Sequence, residues 1–313
     1  MKITWSLIII LLLAGLANNA GAGPSNVLIV NTDNSVARYR EIATEFRNSL
    51  QKNAYQWQEY DLRGQDTADS ELQQLIQSKT AGIIFCIGTK AYSLARNYSK
   101  DKKLVFSAAI NWRRLGIDDK TYGVSNELTP NQEMSLLRYF LPAVKKIGVL
   151  FNGKYSREYL ESIKQDAKTL GIVIFELEVN NDSEIGSALE TLLPDVDIFW
   201  LISDPIVLGS QESVQQIFQS AKQFNKPVYS YSDIFIAHGA VLSVSADIAT
   251  IGRQAANLAI LMDTNQVSAG TVQIPAGSMI TINKCTIDNL HLKFNQDALD
   301  SVNKIVDCKD LGR

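Results

Sequence analysis

Small polar side chains follow the apolar runs of this sequence at separate points, and these residue types suit the binding of a small molecule. Their hydroxyl, amide and carboxylate groups donate or accept hydrogen bonds, and few of them carry a charge. These residues are Thr32, Asn34, Thr89, Asn111, Asn152, Ser156, Asp204 and Asp233, with the aromatic Trp112, Tyr155 and Tyr231 beside them. The rings could stack on a ligand ring or pack at an interface. Each polar residue taken singly is also an ordinary turn or cap residue.

Thr89 illustrates these two interpretations. It follows the apolar residues 83–87 and Gly88, and a helical pattern begins at this point. Its hydroxyl and the first N–H groups of a helix would lie at the positive end of the helix dipole, where anions bind. The alternative is a helix N-cap without a ligand. One residue can serve both roles, so the sequence leaves both open.

Two series of strands and helices must position these side chains. Apolar runs without alternation are typical of parallel strands covered by helices on both faces. The first series has predicted strands at residues 26–30, 56–60, 83–87, 103–107 and 122–125, of which 26–30 and 83–87 are the clearest such runs. The second has them at residues 146–150, 173–177, 197–202, 227–231 and 240–244. Helical spacing lies between them, as in Ile42, Phe46 and Leu50. The matching order predicts an α/β protein with two Rossmann-like lobes, each containing a parallel sheet.

Two such lobes would bring their strand ends to a shared cleft. The chain continues after both lobes, with extended segments near residues 272–274 and 280–283 and a helix expected around residues 299–306. This tail predicts more than one crossing between the lobes, and therefore a hinge that closes over a ligand. We expect residues 23–127 and 247–266 in the first lobe, and residues 128–246 and 267–313 in the second.

The composition disfavours several classes of protein. The 313 residues carry a formal net charge of −3 and contain no basic block, so the electrostatic footprint of nucleic-acid binding is absent. No phosphate-binding glycine motif, nucleophile elbow, HExxH or CxxC occurs. The two histidines, His238 and His291, have no obvious nucleophile near them in the sequence. We therefore expect a non-enzymatic protein with no cofactor and no metal.

The N-terminus predicts export. Lys2 is followed by an apolar run at residues 3–16 and by small residues at 20–22, which is typical of a signal peptide over residues 1–22, cleaved near Ala22. An uncleaved anchor is the alternative. In a periplasmic or secreted protein, Cys285 and Cys308 could form a disulfide that closes the tail onto the body, or could remain free. Cys86 falls in a buried strand and is most simply a small apolar residue.

The sequence resembles the tryptophan/tyrosine-binding-like group of ABC-transporter substrate-binding proteins, which have the type I periplasmic-binding-protein fold. The resemblance covers nearly the whole mature chain. It rests on residues 87–91 (IGTKA), residues 141–150 (LPAVKKIGVL), residues 238–240 (HGA) and, near the end, Asp247, Gly252, Ala255, Ala256 and residues 274–275 and 281–283.

The resemblance implies a monomeric, exported protein that closes around a small solute, often an amino acid, and delivers it to an ABC permease driven by an ATPase. It also places ligand contacts at Thr89, at Asp204 and in the turns at residues 152–156 and 231–233. We therefore expect Thr89 to hold a carboxylate, and Asp204 to hold an ammonium or hydroxyl group. A periplasmic sensor that reports to a membrane receptor is the alternative function, and a two-lobe transferase is a weaker one.

Two differences from the family pattern leave the ligand open. Asn111 and Trp112 stand where the family often has Asp-Pro, and residues 153–156 replace an acidic, Asn- and Ser-rich turn. A ligand with a negative group near Lys154 is compatible with the second difference.

Overall fold

The apolar runs form the buried strands of two sheets in the computed structural model, which describes residues 26–109 and 112–312. The predicted signal peptide and Asn111 lie outside the described residues. In chain order, the strands are β1 (Asn26–Asn31), β2 (Trp57–Asp61), β3 (Ala81–Ile87), β4 (Lys103–Ser107), β5 (Thr121–Val124), β6 (Lys146–Phe151), β7 (Val173–Glu178), β8 (Ile198–Leu201), β9 (Val228–Ser230), β10 (Leu242–Ala246), β11 (Val272–Gln273), β12 (Ser278–Asn283) and β13 (Lys304–Val306).

The helices cover the faces of these sheets. In chain order they are α1 (Ala37–Lys52), α2 (Ser70–Gln77), α3 (Thr89–Ser99), α4 (Pro130–Phe140), α5 (Gly153–Thr169), α6 (Ile185–Leu192), α7 (Gln211–Gln223), α8 (Ile248–Asp263) and α9 (Lys284–Asn289). Within the described residues, none of them has the length and apolar character needed to cross a membrane.

Each sheet belongs to one lobe. The sheet of lobe 1 is parallel and has the order β11-β5-β4-β3-β1-β2. The sheet of lobe 2 has the order β13-β12-β10-β9-β8-β6-β7, in which only the described β10–β12 pair is antiparallel. The predicted pair of mostly parallel α/β lobes is therefore confirmed.

After β10 of lobe 2 the chain returns to lobe 1, where it forms α8, and α8 packs against α1. Gly252 makes this contact possible, because a Cβ there would lie 2.7 Å from the carbonyl oxygen of Ile42. On the same helix α1, the predicted stripe of Ile42, Phe46 and Leu50 is fully buried. The chain thus crosses between the sheets after β5, after β10 and after β11. These crossings form the predicted hinge.

The tail differs from the prediction in two places. Residues 272–273 belong to lobe 1, because Val272 and Gln273 pair with β5, whereas the expected division placed them in the second lobe. The helix expected around residues 299–306 is instead a 3-10 helix (Gln296–Ser301) followed by β13. Pairing of β13 with β12 overrides the helical spacing there. The other lobe boundaries stay predictions.

The tail is also held covalently. Cys285 at the start of α9 and Cys308 form a disulfide, with a Cα–Cα distance of 4.9 Å. Cys86 is a free, buried thiol in β3, and burial raises its pKa.

Replacing both disulfide cysteines by serine should lower the free energy of unfolding by about 3 kcal/mol, because the bond removes loop entropy from the unfolded chain. Urea unfolding at neutral pH measures this loss. Wild-type protein in reductant should match the double variant Cys285→Ser/Cys308→Ser, and reductant should leave that variant unchanged. Equal stability of variant and oxidised wild type would show that the disulfide does not stabilise the tail.

Candidate ligand-binding site

Two adjoining cavities lie where the lobes meet. The inner cavity has a volume of about 40 Å³ and is lined by Asn126, Glu127, Leu128, Glu133, Ser156, Tyr159, Ile202, Ser203, Tyr231, Val244, Ser245 and Ala246. These residues come from the first hinge crossing, α4, α5 and the ends of β8, β9 and β10. The outer cavity has a volume of about 370 Å³ and is lined by Arg113, Arg114, Glu127, Gly153, Lys154, Tyr155, Arg157, Glu158 and Tyr159. Glu127 and Tyr159 line both cavities, so the two are adjacent.

Asp204 belongs to the framework beneath the cleft. Its side chain is fully buried and accepts four hydrogen bonds: from the Asn152 amide at 2.8 Å, from Ser156 Oγ at 2.6 Å, and from the amides of Ile206 and Val207 at 2.9 and 3.2 Å. These bonds tie the end of β8 to the start of α5. The structure corrects the expected role of Asp204, because a buried carboxylate with these four donors has no surface for an ammonium group.

The Asn152 side chain also forms hydrogen bonds within the protein. Its side-chain oxygen accepts a hydrogen bond from the Lys154 amide and so caps α5, and its side-chain nitrogen donates to the Val179 carbonyl at 2.7 Å. Ser156 donates to Asp204 but also lines the inner cavity.

Thr32 has the equivalent structural role in lobe 1. Its hydroxyl donates to the Ile87 carbonyl at 2.7 Å and accepts from the Ala91 amide at 3.3 Å. The N-cap of α3 is Gly88, with φ of 91°, and a Cβ at this position would lie 2.5 Å from Thr32 Oγ1. Thr89 is therefore the first helical residue and not the cap, and it lines neither cavity. Its contact with a ligand stays a prediction.

The remaining predicted residues divide between the cavities and other positions. Tyr155 lines the outer cavity and Tyr231 the inner one. Asn34 forms side-chain hydrogen bonds with Asn31 and with Glu59 of β2. Trp112 packs near Phe106 in lobe 1. Asp233 is exposed at the start of a 3-10 helix (Asp233–Ile236). The structure does not bring these three residues to the cavities, and Asn111 lies outside the described residues.

An acidic group that the sequence interpretation missed lies at the inner cavity. Glu133 on α4 is 5% exposed, and its Oε2 accepts a hydrogen bond from Tyr159 Oη at 2.7 Å. Burial raises the pKa of Glu133 to about 8, against the lowering effect of the Tyr159 hydrogen bond and with a smaller raising effect of the nearby Glu127. A sequence signal existed, because Glu133 shares the buried stripe of α4 with Leu137 and Phe140.

Basic side chains surround the outer cavity, and the sequence interpretation considered only Lys154 among them. Arg113 pairs with Glu127 at 2.6 Å, and Arg157 pairs with Glu178. Arg114 and Lys154 form no ion pair within the described residues. Both lie near the Tyr155 ring, at 4.8 and 5.3 Å from its centroid. Arg114 belongs to lobe 1 and Tyr155 to lobe 2, so this contact spans the cleft.

The charge of Arg38, on α1 of lobe 1, acts on Tyr231 of lobe 2. Burial raises the pKa of Tyr231, while its hydrogen bond with Ser203 and, to a smaller extent, the Arg38 charge lower it. The Arg38 Nε is buried without a hydrogen-bond partner in the described part of the chain. Among residues 26–109 and 112–312, no cluster of three His, Cys, Asp or Glu side chains could hold a metal ion.

Comparison with known proteins adds the family and the fold. Residues 28–306 match the family model described as ABC transporter substrate binding protein. A curated tyrosine-binding protein of Clostridioides difficile is 22% identical over 229 residues, which are 70% of this chain and 62% of the relative. The chain thus spans about 62% of that relative's length.

Two solved structures are similar over nearly the whole chain. The ABC domain in complex with L-Trp from Streptococcus pneumonia has a TM-score of 0.66 and 17% identity, covering 90% of this chain and 100% of that chain. The ligand-free, open structure of a substrate binding protein with adhesive properties from Clostridium difficile has a TM-score of 0.73 and 17% identity, covering 91% and 99%. The expected type I periplasmic-binding-protein fold is confirmed.

Asp204→Ala should lower the free energy of unfolding by about 3 kcal/mol, because it leaves buried donors without an acceptor. Asp233→Ala removes an exposed carboxylate at the start of a 3-10 helix and should stay within about 0.5 kcal/mol of wild type. Urea unfolding of the two variants makes the comparison. A stable Asp204→Ala protein that loses only ligand affinity would instead assign Asp204 to ligand binding.

Proposed function

The chain belongs to the family of ABC transporter substrate-binding proteins, and from this premise we propose that it binds a small amino-acid-like solute in the cleft between its lobes. It then delivers this solute to an ABC permease and its ATPase. The pair of unmatched cations beside Tyr155 supports this proposal most directly.

Arg114 and Lys154 are suited to a carboxylate. The other two cations of the outer cavity, Arg113 and Arg157, already pair with acidic side chains. An anionic group between Arg114 and Lys154 would gain charge-assisted hydrogen bonds from both lobes. A ring or aliphatic chain attached to it could pack on Tyr155 in the outer cavity of about 370 Å³.

Ligand binding would also favour closure. Arg114 projects from a 3-10 helix (Trp112–Leu115) of lobe 1, while Lys154 and Tyr155 lie in the first turn of α5 in lobe 2. A carboxylate that contacts both sides binds the closed arrangement better than an open one, and this difference shifts the population toward closure. The three crossings form the hinge for this motion.

L-Tyrosine and L-tryptophan are the first ligands to test. The curated relative is named a tyrosine-binding protein, and one similar structure is a complex with L-Trp. Aromatic Tyr155, Tyr159 and Tyr231 line the two cavities and are compatible with a ligand of this kind. The protein acts without a cofactor, as a monomer, in the periplasm or outside the cell after cleavage of the signal peptide at residues 1–22.

Isothermal titration calorimetry with L-tyrosine and L-tryptophan should detect binding to the mature protein. Arg114→Ala and Lys154→Ala should each weaken the affinity about tenfold, because each removes a cation from the ligand carboxylate. Lys168→Ala, in the last turn of the same helix as Lys154, is the matched control and should bind like wild type.

Two negative results of this experiment have different meanings. Absence of binding by the folded protein to all common amino acids would contradict the proposed function. Binding that Arg114→Ala and Lys154→Ala leave unchanged would contradict only the carboxylate assignment.

A further inference from the structure

The Glu133 carboxyl group lacks a positive partner. In the described residues it forms no ion pair, and it accepts a hydrogen bond from Tyr159 Oη on α5. The titratable groups near it are Tyr159, Glu127 of the first hinge crossing, Tyr229 of β9 and Tyr231 of the same cavity. They are acids and phenols. The nearby cations act on other groups, because Arg113 pairs with Glu127 and the Arg38 charge acts on Tyr231.

Tyr229 adds a second unsatisfied group at this place. Its side chain is fully buried, and its hydroxyl has no hydrogen-bond partner in the described part of the chain. The Glu133 charge and burial both raise the pKa of Tyr229, with burial the larger cause. Glu133 can therefore accept a hydrogen bond from a donor, and no Lys, Arg or His is among the described residues that line the inner cavity.

The size of the inner cavity limits what can enter. Its volume of about 40 Å³ exceeds the roughly 10–15 Å³ that one water molecule requires, but it is far below the roughly 150 Å³ of a cavity that holds benzene. A single ammonium group fits this space, and an aromatic ring does not. The rest of the ligand can occupy the outer cavity, since Glu127 and Tyr159 border both spaces.

We propose that Glu133 holds the protonated amino group of the ligand and releases its own proton when that group binds. This assignment rests on the proposed function of the cleft and restricts the ligand to primary amines. The neutral carboxyl of the free protein loses its proton to solvent, and the resulting carboxylate pairs with the ligand ammonium. Tyr159 continues to donate its hydrogen bond to the carboxylate.

The proton release fixes the sign of the pH dependence. Below about pH 8 the free protein carries a proton on Glu133, because burial raises the pKa of this group. The ligand cation lowers that pKa in the complex, so binding expels the proton. Affinity should rise by up to tenfold per pH unit between about pH 6 and 8, and should level off above.

Calorimetric titration of the mature protein with L-tryptophan and L-tyrosine tests this inference. Titrations in buffers of different ionisation enthalpy should show release of close to one proton per ligand at about pH 7. Glu133→Gln, which keeps an acceptor for Tyr159, should abolish the release and the pH dependence, and should weaken binding at least tenfold at about pH 8. Glu190→Gln, an exposed carboxylate on α6 that lines neither cavity, is the control and should behave like wild type.

An analogue without the amino group provides the second comparison. Indole-3-propionate, which is tryptophan lacking that group, should bind weakly, without proton release and equally to wild type and Glu133→Gln. Amino-acid binding with no proton release and an unchanged pH profile in Glu133→Gln would overturn the Glu133 assignment and leave the proposed function intact. Absence of amino-acid binding would overturn both.

A measurement without ligand checks the same group. The free energy of unfolding of wild type should fall as the pH rises toward about 8, because the proton that Glu133 binds in the folded state is then lost. Glu133→Gln should lack this fall. A wild-type profile identical to that of the variant would contradict a protonated Glu133.

Discussion

A buried polar group must find a hydrogen-bond partner, and this requirement organises the strand ends of both lobes. At the end of β8, the Asp204 carboxylate accepts bonds from four donors and so fixes the first turn of α5 against the sheet. At the end of β1, the Thr32 hydroxyl joins β3 to α3. Because these side chains are committed to the framework, the cleft edges are rigid, and the chemistry of the ligand depends on other residues.

Those residues come from the hinge and from the helices beside it. Glu127 lies in the first crossing, Glu133 on α4, and Lys154, Tyr155 and Tyr159 on α5. One continuous cluster of buried apolar side chains extends from lobe 1 through α4 and α8 into lobe 2. A ligand in these cavities therefore contacts the hinge segments themselves, whose backbone changes when the lobes move. No chain of intermediate residues is needed to link ligand binding to that movement.

The sequence predicts the sheets far better than the ligand contacts. Uninterrupted apolar runs such as Ile83 to Ile87 specify buried parallel strands, because a two-faced core leaves few alternatives. Turn residues such as Asp204 are ambiguous, since the same side chain can cap a helix or face a ligand, and only its three-dimensional neighbours decide. The sequence of β13 is ambiguous for another reason. These residues form a strand because they pair with β12, which is not adjacent to them in the sequence. Glu133 was detectable as a charge within an apolar stripe, but its cavity was not.

The two cavities together decide which way round an amino acid would lie. A carboxylate in the inner cavity would find no Lys, Arg or His among the residues that line it, and its charge would oppose the ionisation of Glu133. The same group in the outer cavity meets Arg114 and Lys154, which form no ion pairs in the described residues. The ammonium group faces the opposite choice, because Glu127 and Glu133 line the inner cavity and no Lys or Arg does. The two charged groups of an amino acid therefore favour the same orientation, with the ammonium group toward the hinge and the carboxylate toward solvent.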